Sequence, residues 1–423
     1  MEHEIYYVVT KDAVEQMADY CQLHGHAHVT LVTDQNLLPI LAERASRALQ
    51  ERQIVTRQIV LNGNPVVPDD RSITRIFTQI DNRETLFLAV GSGTLTDLTR
   101  FVAYRAKADF ISMPTAPSMD GYASSGSSLT LDGMKQTIIS KPPVAIFADL
   151  NVLCAAPRDM IASGFGDVIG KYTALADWAL GGLLWNDRYV PELAERTRKG
   201  LLRVVGLLER LESDWEQAIF ALTDSLLDVG ICMMLAGNSR PASGAEHSCS
   251  HYWEMKLMRE GRPAGFHGTK VAYATTLIAG LYENLRGISQ AEARQMLSQA
   301  RLPTAQDEVE RIRAVFGDTA DQVIRTQRKF LAFTPAEFET LKLGIVENWE
   351  QVQAIAAQVP PQSEIRTRLI QAGLPLDPRA IHLSDEDVRE ALRFGHYLRD
   401  PFTVVKLMLI LGIDPAEAAL TQI

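Results

Sequence analysis

The residues of this chain best suited to chemistry cluster in "SGAEHSCSHYWEM", residues 243–255, where His247 and His251 stand four apart with Cys249 between them. Only nine histidines occur in 423 residues, so a pair at helical spacing calls for an explanation. On a helix the two histidines share a face, and Cys249 projects about 160° away from either. The thiol therefore reads as a small apolar packing residue rather than a member of the same shell. Two further candidates are Asp167 in "GFGDVIGKY" and His267 in "AGFHGTKVAYA". One carboxylate and two imidazoles would hold a divalent cation with a coordination position left open. Such an ion keeps net positive charge, suited to polarising a carbonyl or stabilising an alkoxide. The spacing is long-range, so periodicity does not prove that these residues converge, and each histidine taken alone fits a hydrogen-bonded or surface role more readily than ligation. His24, His26 and His28 in "LHGHAH" read as a solvated loop. Lys171 lies one turn beyond Asp167, where it is either an i,i+4 ion-pair partner or a donor to an anionic substrate group.

A second chemistry is written in the first third of the chain. "LAVGSGTLTDLTRFVAYR" (88–105) follows a strand-like run and opens a helix-like one. Gly91 and Gly93 would let the backbone approach a ligand, and the helix start offers unpaired N–H groups to a pyrophosphate. The third glycine of GxGxxG is missing, so a plain glycine turn is an equal reading. Asp34 ends "HVTLVTD", where a carboxylate can accept from an adenosine ribose or simply cap the helix at 35–52. "SMPTAPSMDGYASSGSSL" (112–129) sets prolines, glycines and hydroxyls directly after a strand, a composition typical of ligand-contacting loops. Together the three elements point to a dinucleotide.

What must position these residues is an α/β domain followed by a helical one. Val-, Ile- and Leu-rich runs at 5–10, 28–34, 54–61, 85–91, 109–115 and 144–150 alternate with amphipathic stretches, which reads as a parallel sheet covered on both faces. Residues 127–140 read as an inserted hairpin turning at Asp132-Gly133. Beyond about 156 the strands stop and apolar residues recur every three or four positions. The expected division is a dinucleotide-binding domain at 1–155 and a helical metal- and substrate-binding domain at 156–423, with a ligand cleft between them. A net charge of −10 argues against a nucleic-acid partner. Four scattered cysteines indicate neither a disulfide framework nor a zinc knuckle. No signal peptide and no uninterrupted apolar run of roughly 20 residues is apparent, so a cytoplasmic protein without a membrane partner is expected.

The motifs "GSGTLTDLTRFVAYR", "ISMPTAPSMDGYAS", "KPPVAIFADLNVL", "APRDMIASGFGDVIGKYTALADW", "GAEHSCSHYWEM" and "FHGTKVAYAT" resemble those of the sn-glycerol-1-phosphate dehydrogenases. These belong with the iron-dependent alcohol dehydrogenases, glycerol dehydrogenase and dehydroquinate synthase. The resemblance runs over about residues 28–285; the first strand and the helices after 290 match in architecture. It implies a dehydroquinate synthase-like fold and interconversion of dihydroxyacetone phosphate and sn-glycerol 1-phosphate. It also implies NADH or NADPH, and one divalent metal, Zn2+ or Ni2+. By the same resemblance Gly93, Thr94, Leu95, Thr96 and Asp97 hold the pyrophosphate, and Thr115, Ala116, Pro117, Ser118 and Ser124 contact the nicotinamide half. Asp167, His247 and His267 bind the metal, while Asp120, Asp167 and His251 meet the substrate. Many members carry three glycines where this chain has "GSG", and the small Ser92 should preserve the turn. Asp34 favours NAD, since a carboxylate there would repel a 2′-phosphate. A homodimer or larger homo-oligomer is the family expectation. The alternative is an NAD-dependent glycerol or polyol dehydrogenase that needs no phosphate on its substrate.

Overall fold

The computed structural model describes residues 5–63, 65–81, 85–131 and 134–420. Six strands form one sheet in the order β1-β8-β5-β4-β2-β3: β1 Tyr6–Thr10, β2 His28–Asp34, β3 Val55–Leu61, β4 Leu86–Gly91, β5 Asp109–Pro114 and β8 Ala145–Asp149. Every pairing in it is parallel. The reason lies in residue type. Leu86, Leu88 and Val90 pack with Met17 and Leu49 on one face, whereas Phe87 and Ala89 pack with Ile76 and Leu98 on the other. A strand apolar on both sides needs helices on both sides, and only crossover connections supply them. Fully burying each such side chain contributes about 1.5–3 kcal/mol, enough to hold the register against slippage.

The expected hairpin forms as β6 (Gly126–Leu131) and β7 (Met134–Ile139), an antiparallel pair outside the main sheet. Its expected turn, Asp132-Gly133, lies outside the described residues. The helix expected at 35–52 opens instead as a π-helical turn, Leu38–Ala42, before the α-helix Glu43–Glu51.

The chain divides into two compact units, residues 1–168 with 202–238, and 169–201 with 239–423. A boundary drawn where the strands stop does not anticipate this. The helix Arg158–Ile169 and the helix Trp215–Ala236 belong largely or wholly with the sheet. The second of these is tied down by Trp215 Nε1 donating to the Cys154 carbonyl at 3.1 Å, and by Tyr7 on β1 donating to Asp224 at 2.9 Å. Trp215–Ala236 is also the one described helix long and apolar enough to cross a membrane, and two-thirds of its apolar window is buried in the fold. Among its described residues the second unit holds helices joined by turns and loops, and no strand. At its core lies His267–Arg286, buried on nearly every side, its buried Thr275 and Thr276 hydroxyls donating back to the carbonyls of Val271 and Tyr273.

Candidate active site

In the sheet unit, β2 and β4 are neighbours, yet the chain leaves β2 toward β3 and leaves β4 toward β5 on the opposite side. This is the point where strand order reverses, and ligands of open α/β sheets bind outside the carboxyl ends of strands there. Asp34 and Gly91 close those two strands. Gly91 has no room for a side chain, because a Cβ would stand 2.1 Å from Leu95 Cδ1. Gly93, first residue of the helix Gly93–Arg105, is likewise covered by Met119, whose Cε would lie 2.6 Å from an added Cβ. The third-glycine position holds Thr96, fully buried with its hydroxyl 3.4 Å from that of Ser112. Thr94 is half-buried in the same first turn. Asp34 Oδ1 accepts from the N–H groups of Asn36 at 2.8 Å and Leu37 at 3.0 Å. These bonds close a turn ahead of the helical segment, whose own N-cap is Leu37 with no side-chain bond, so Asp34 orders the approach to the helix rather than capping it.

The loop after β5 is held from below by a residue that sequence reading passed over. Arg100 is completely buried and pairs with Asp97 at 2.5 Å. It also donates to the carbonyls of Gly126 (2.6 Å), Gly121 (2.8 Å) and Tyr122 (2.9 Å). The other Asp97 oxygen accepts from Ser128 N at 3.1 Å. Asp97, expected beside a pyrophosphate, thus has a loop-anchoring job in which its charge is matched by Arg100. Further ties follow along the loop. Thr115 N donates to Gly91 O at 3.2 Å, Tyr122 OH to Ala116 O at 2.8 Å, and Ser124 Oγ to Gly121 O at 3.1 Å. Ser163 Oγ donates to Ser118 O at 3.3 Å. Pro117 O lies only 1.8 Å from where a Cβ on Gly164 would be, and Asp120 O only 2.8 Å from one on Gly230. Asp120 N donates to Asp167 Oδ2 at 3.0 Å. Asp167 itself is fully buried in the last turn of Arg158–Ile169.

In the helical unit, His247 and His251 lie on the helix Ala245–Arg259, and His267 begins the helix His267–Arg286. The three rings are mutual neighbours, with centroids 6.2 Å apart for His247–His251, 5.3 Å for His247–His267 and 5.6 Å for His251–His267. Two are oriented by buried carboxylates. His247 Nδ1 meets Glu246 Oε1 at 2.8 Å, and His267 Nδ1 meets Glu254 Oε1 at 2.9 Å. An imidazole whose Nδ1–H donates to a carboxylate presents Nε2 as its lone-pair atom, the usual arrangement of a metal-ligating histidine. Burial alone would push Glu246 up. His247, the Gly244 N–H at 2.6 Å and the Thr173 hydroxyl at 2.7 Å outweigh it and hold Glu246 below the usual carboxylate range. Glu254 also faces Lys270 Nζ at 3.5 Å, a buried cation that donates to the Ala264 and Gly265 carbonyls. His251, Glu254 and His267 each bring one ligand atom within 4.8 Å of the others.

Cys249 is buried, its Sγ 3.5 Å from Ala391 O, and burial pushes its thiol far up, so it packs as expected. Lys171 is fully buried in the first turn of Lys171–Leu184. Glu246, Glu254 and Lys270 were not anticipated. Their signal was adjacency: each acid lies one or three residues from a histidine, in "EHSCSHYWE".

An iron-containing alcohol dehydrogenase family profile matches residues 8–157. The chain is 38% identical over 281 residues to glycerol-1-phosphate dehydrogenase (NAD(P)+) of Geobacillus thermodenitrificans, covering 66% of this chain and 70% of that one. It is 32% identical over 398 residues to the protein of the same name from Halalkalibacterium halodurans, covering 93% and 90%. In fold it is similar to a 1,3-propanediol oxidoreductase, with a TM-score of 0.63 at 13% identity over 99% of this chain and 100% of that one. It is also similar to sulfoacetaldehyde reductase from Bifidobacterium kashiwanohense in complex with NAD+, with a TM-score of 0.60 at 15% identity over 99% and 98%. The dehydroquinate synthase-like architecture is thereby established, and the chain belongs to the glycerol-1-phosphate dehydrogenase family of iron-containing alcohol dehydrogenase-like proteins.

Proposed function

We propose that this chain interconverts dihydroxyacetone phosphate and sn-glycerol 1-phosphate, using NAD(H) or NADP(H) and one divalent metal. One observation carries the reading: His247 and His267 face each other at 5.3 Å, each with Nδ1 on a buried carboxylate. A hydrogen-bonded structural histidine has no need of a second imidazole oriented in the same way. Asp167, His247 and His267 would hold the ion, Zn2+ or Ni2+. Bound there it would polarise the ketone, with the nicotinamide as hydride donor. Glu246 and Glu254 keep both rings in the ligating tautomer and add charge behind them. The first turn of Gly93–Arg105, from Gly93 through Thr94 and Leu95 to Thr96, would receive the pyrophosphate. The loop Thr115 to Ser118 with Ser124 would border the nicotinamide half. Asp34 supports a preference for NAD: its Oδ1 is held by Asn36 and Leu37, and its second oxygen would accept from a ribose hydroxyl.

On the substrate, Asp120 and His251 would contact the hydroxyls and the proton being moved. Lys171 would supply a cation toward the phosphate. We expect a cytoplasmic setting and a homodimer or larger homo-oligomer. The test is NADH oxidation with dihydroxyacetone phosphate, run before and after chelation and with metal added back. Product chirality is read in the same assay. Equal rates with unphosphorylated dihydroxyacetone would move the chain to the polyol dehydrogenases, and chelator-insensitive turnover would remove the metal from the reading.

A further inference from the structure

The three imidazoles sit on two helices, and one buried carboxylate ties the two together. Asp177, midway along Lys171–Leu184, is 3% exposed. Its Oδ2 accepts at 2.7 Å from Ala245 N, the first residue of the helix that carries His247 and His251. Its Oδ1 accepts at 2.7 Å from Tyr282 OH, in the last two turns of the helix that begins with His267, about 22 Å along the axis from that residue. The same oxygen accepts at 2.7 Å from Val404 N, which opens the helix Val404–Ile410. Gly244 is small for this reason, since a Cβ there would stand 2.5 Å from Asp177 Oδ2. A second strut runs beside the first. Thr173 lies one turn before Asp177 on the same helix face and donates to Glu246, which in turn accepts from His247. Lys171–Leu184 therefore grips the His247 helix twice at its start and the His267 helix once.

We infer that Asp177 is a positioning residue for the histidine site, fixing the start of the His247 helix against the distal end of the His267 helix and so the relative setting of the rigid helix pair that carries both imidazoles. The inference rests on the reading of those histidines as metal ligands. Metal sites tolerate ligand displacements of only about 0.2 Å, so a small shift of one helix start is felt as lost affinity. A carboxylate is also the group that a helix N-terminus favours, and Asp177 meets the buried N–H of the first residue, which has no partner within the helix. An amide cannot replace it. An asparagine oriented to serve Tyr282 and Val404 turns its NH2 toward the Ala245 N–H, setting donor against donor.

Asp177→Asn and Tyr282→Phe test this on the purified full-length protein. Zn2+ affinity is measured by chelator competition, NADH affinity by fluorescence, and Tm beside both. For Asp177→Asn the expected result is a loss of Zn2+ affinity of about tenfold or more, the lower end seen when partners of ligands are removed. NADH affinity should stay at the wild-type value. Tyr282→Phe keeps the carboxylate and both backbone bonds, and should show a smaller loss in the same direction. Zn2+ affinity within twofold of wild type in both variants overturns the inference. So does a parallel fall of Zn2+ affinity, NADH affinity and Tm, which is what a merely structural residue would give. If Asp177→Asn does not fold, Tyr282→Phe decides alone, by reduced or unchanged Zn2+ affinity. Wild-type protein that takes up no Zn2+ sinks the metal reading itself, and this inference with it.

Discussion

The turn after β4 and the histidine cluster prepare for charged ligands by opposite means. The turn is made of residues with almost nothing to offer as side chains: Leu95 occupies the space a Cβ on Gly91 would need, and Met119 lies over Gly93. Its one strong ion pair, Arg100 with Asp97, points inward and carries the neighbouring loop. The histidine cluster is made almost entirely of side-chain chemistry, with Glu246 and Glu254 behind the rings and Lys270 behind Glu254. Backbone donors need shape, and shape is set by what is absent. Ligating imidazoles need orientation, and orientation is set by buried acids. The two regions should accordingly fail in different ways.

The largest effect should come from the ligands themselves. His267→Ala or Asp167→Asn is expected to bring turnover to background and abolish metal retention, with NADH affinity nearly unchanged; elemental analysis beside fluorescence titration reads both. Should either variant reduce dihydroxyacetone phosphate normally, the assignment fails. Next is Arg100→Met, which strips the buried Asp97 of its partner. Breaking such a pair costs about 3–5 kcal/mol, so a large drop in Tm is expected, with weaker NADH binding and metal stoichiometry preserved in the folded fraction. A loss confined to metal would erase the contrast between the two regions. Glu254→Gln should be milder, lowering metal affinity by about 10- to 100-fold without touching NADH, as judged by chelator competition.

The smallest effect separates two buried cations. Arg100 is lowered by burial but supported by Asp97, and a guanidinium stays charged. Lys406, buried in the helical unit, is pushed down to about 8 by burial and by Arg240, against the attraction of Asp400. A lysine with a lowered folded pKa binds fewer protons when folded than when unfolded. Its stabilising contribution is therefore present above the unfolded value near 10.5 and is lost as the pH falls through about 8. Wild-type Tm should rise relative to Lys406→Met between pH 8 and pH 10 in differential scanning fluorimetry. A constant difference across that range would show that Lys406 does not titrate there.

How much of this could be read from the residues differs between the same two regions. The strands are legible because runs such as "TLFLAVG" are apolar on both faces, and the observed ends of β2, β4 and β8 fall within a residue of expectation. His247, His251 and His267 stand out by rarity and spacing. Their supporting acids do not, because a glutamate on a helix next to a histidine looks like any solvated residue until its burial is known. Arg100 reads as an ordinary amphipathic-helix cation for the same reason, and its pairing with Asp97 shows only once both are seen to be buried. The placement of 202–238 with the sheet was also hidden. A helix that is apolar on most sides must be buried, but its composition does not say in which unit.

That placement has a consequence for how the protein is made. The chain passes from one unit to the other three times, after residues 168, 201 and 238. A ribosome therefore cannot finish the sheet unit when its last strand emerges; Gly230, against which Asp120 and Ala123 close, is translated about eighty residues after Asp149 ends β8. Chains stopped at residue 168 are expected to emerge with that loop unbraced and prone to aggregate, and addition of a separate 202–238 segment should restore solubility. Gene fusions or split reporters intended to report on one unit alone need to carry both of its pieces.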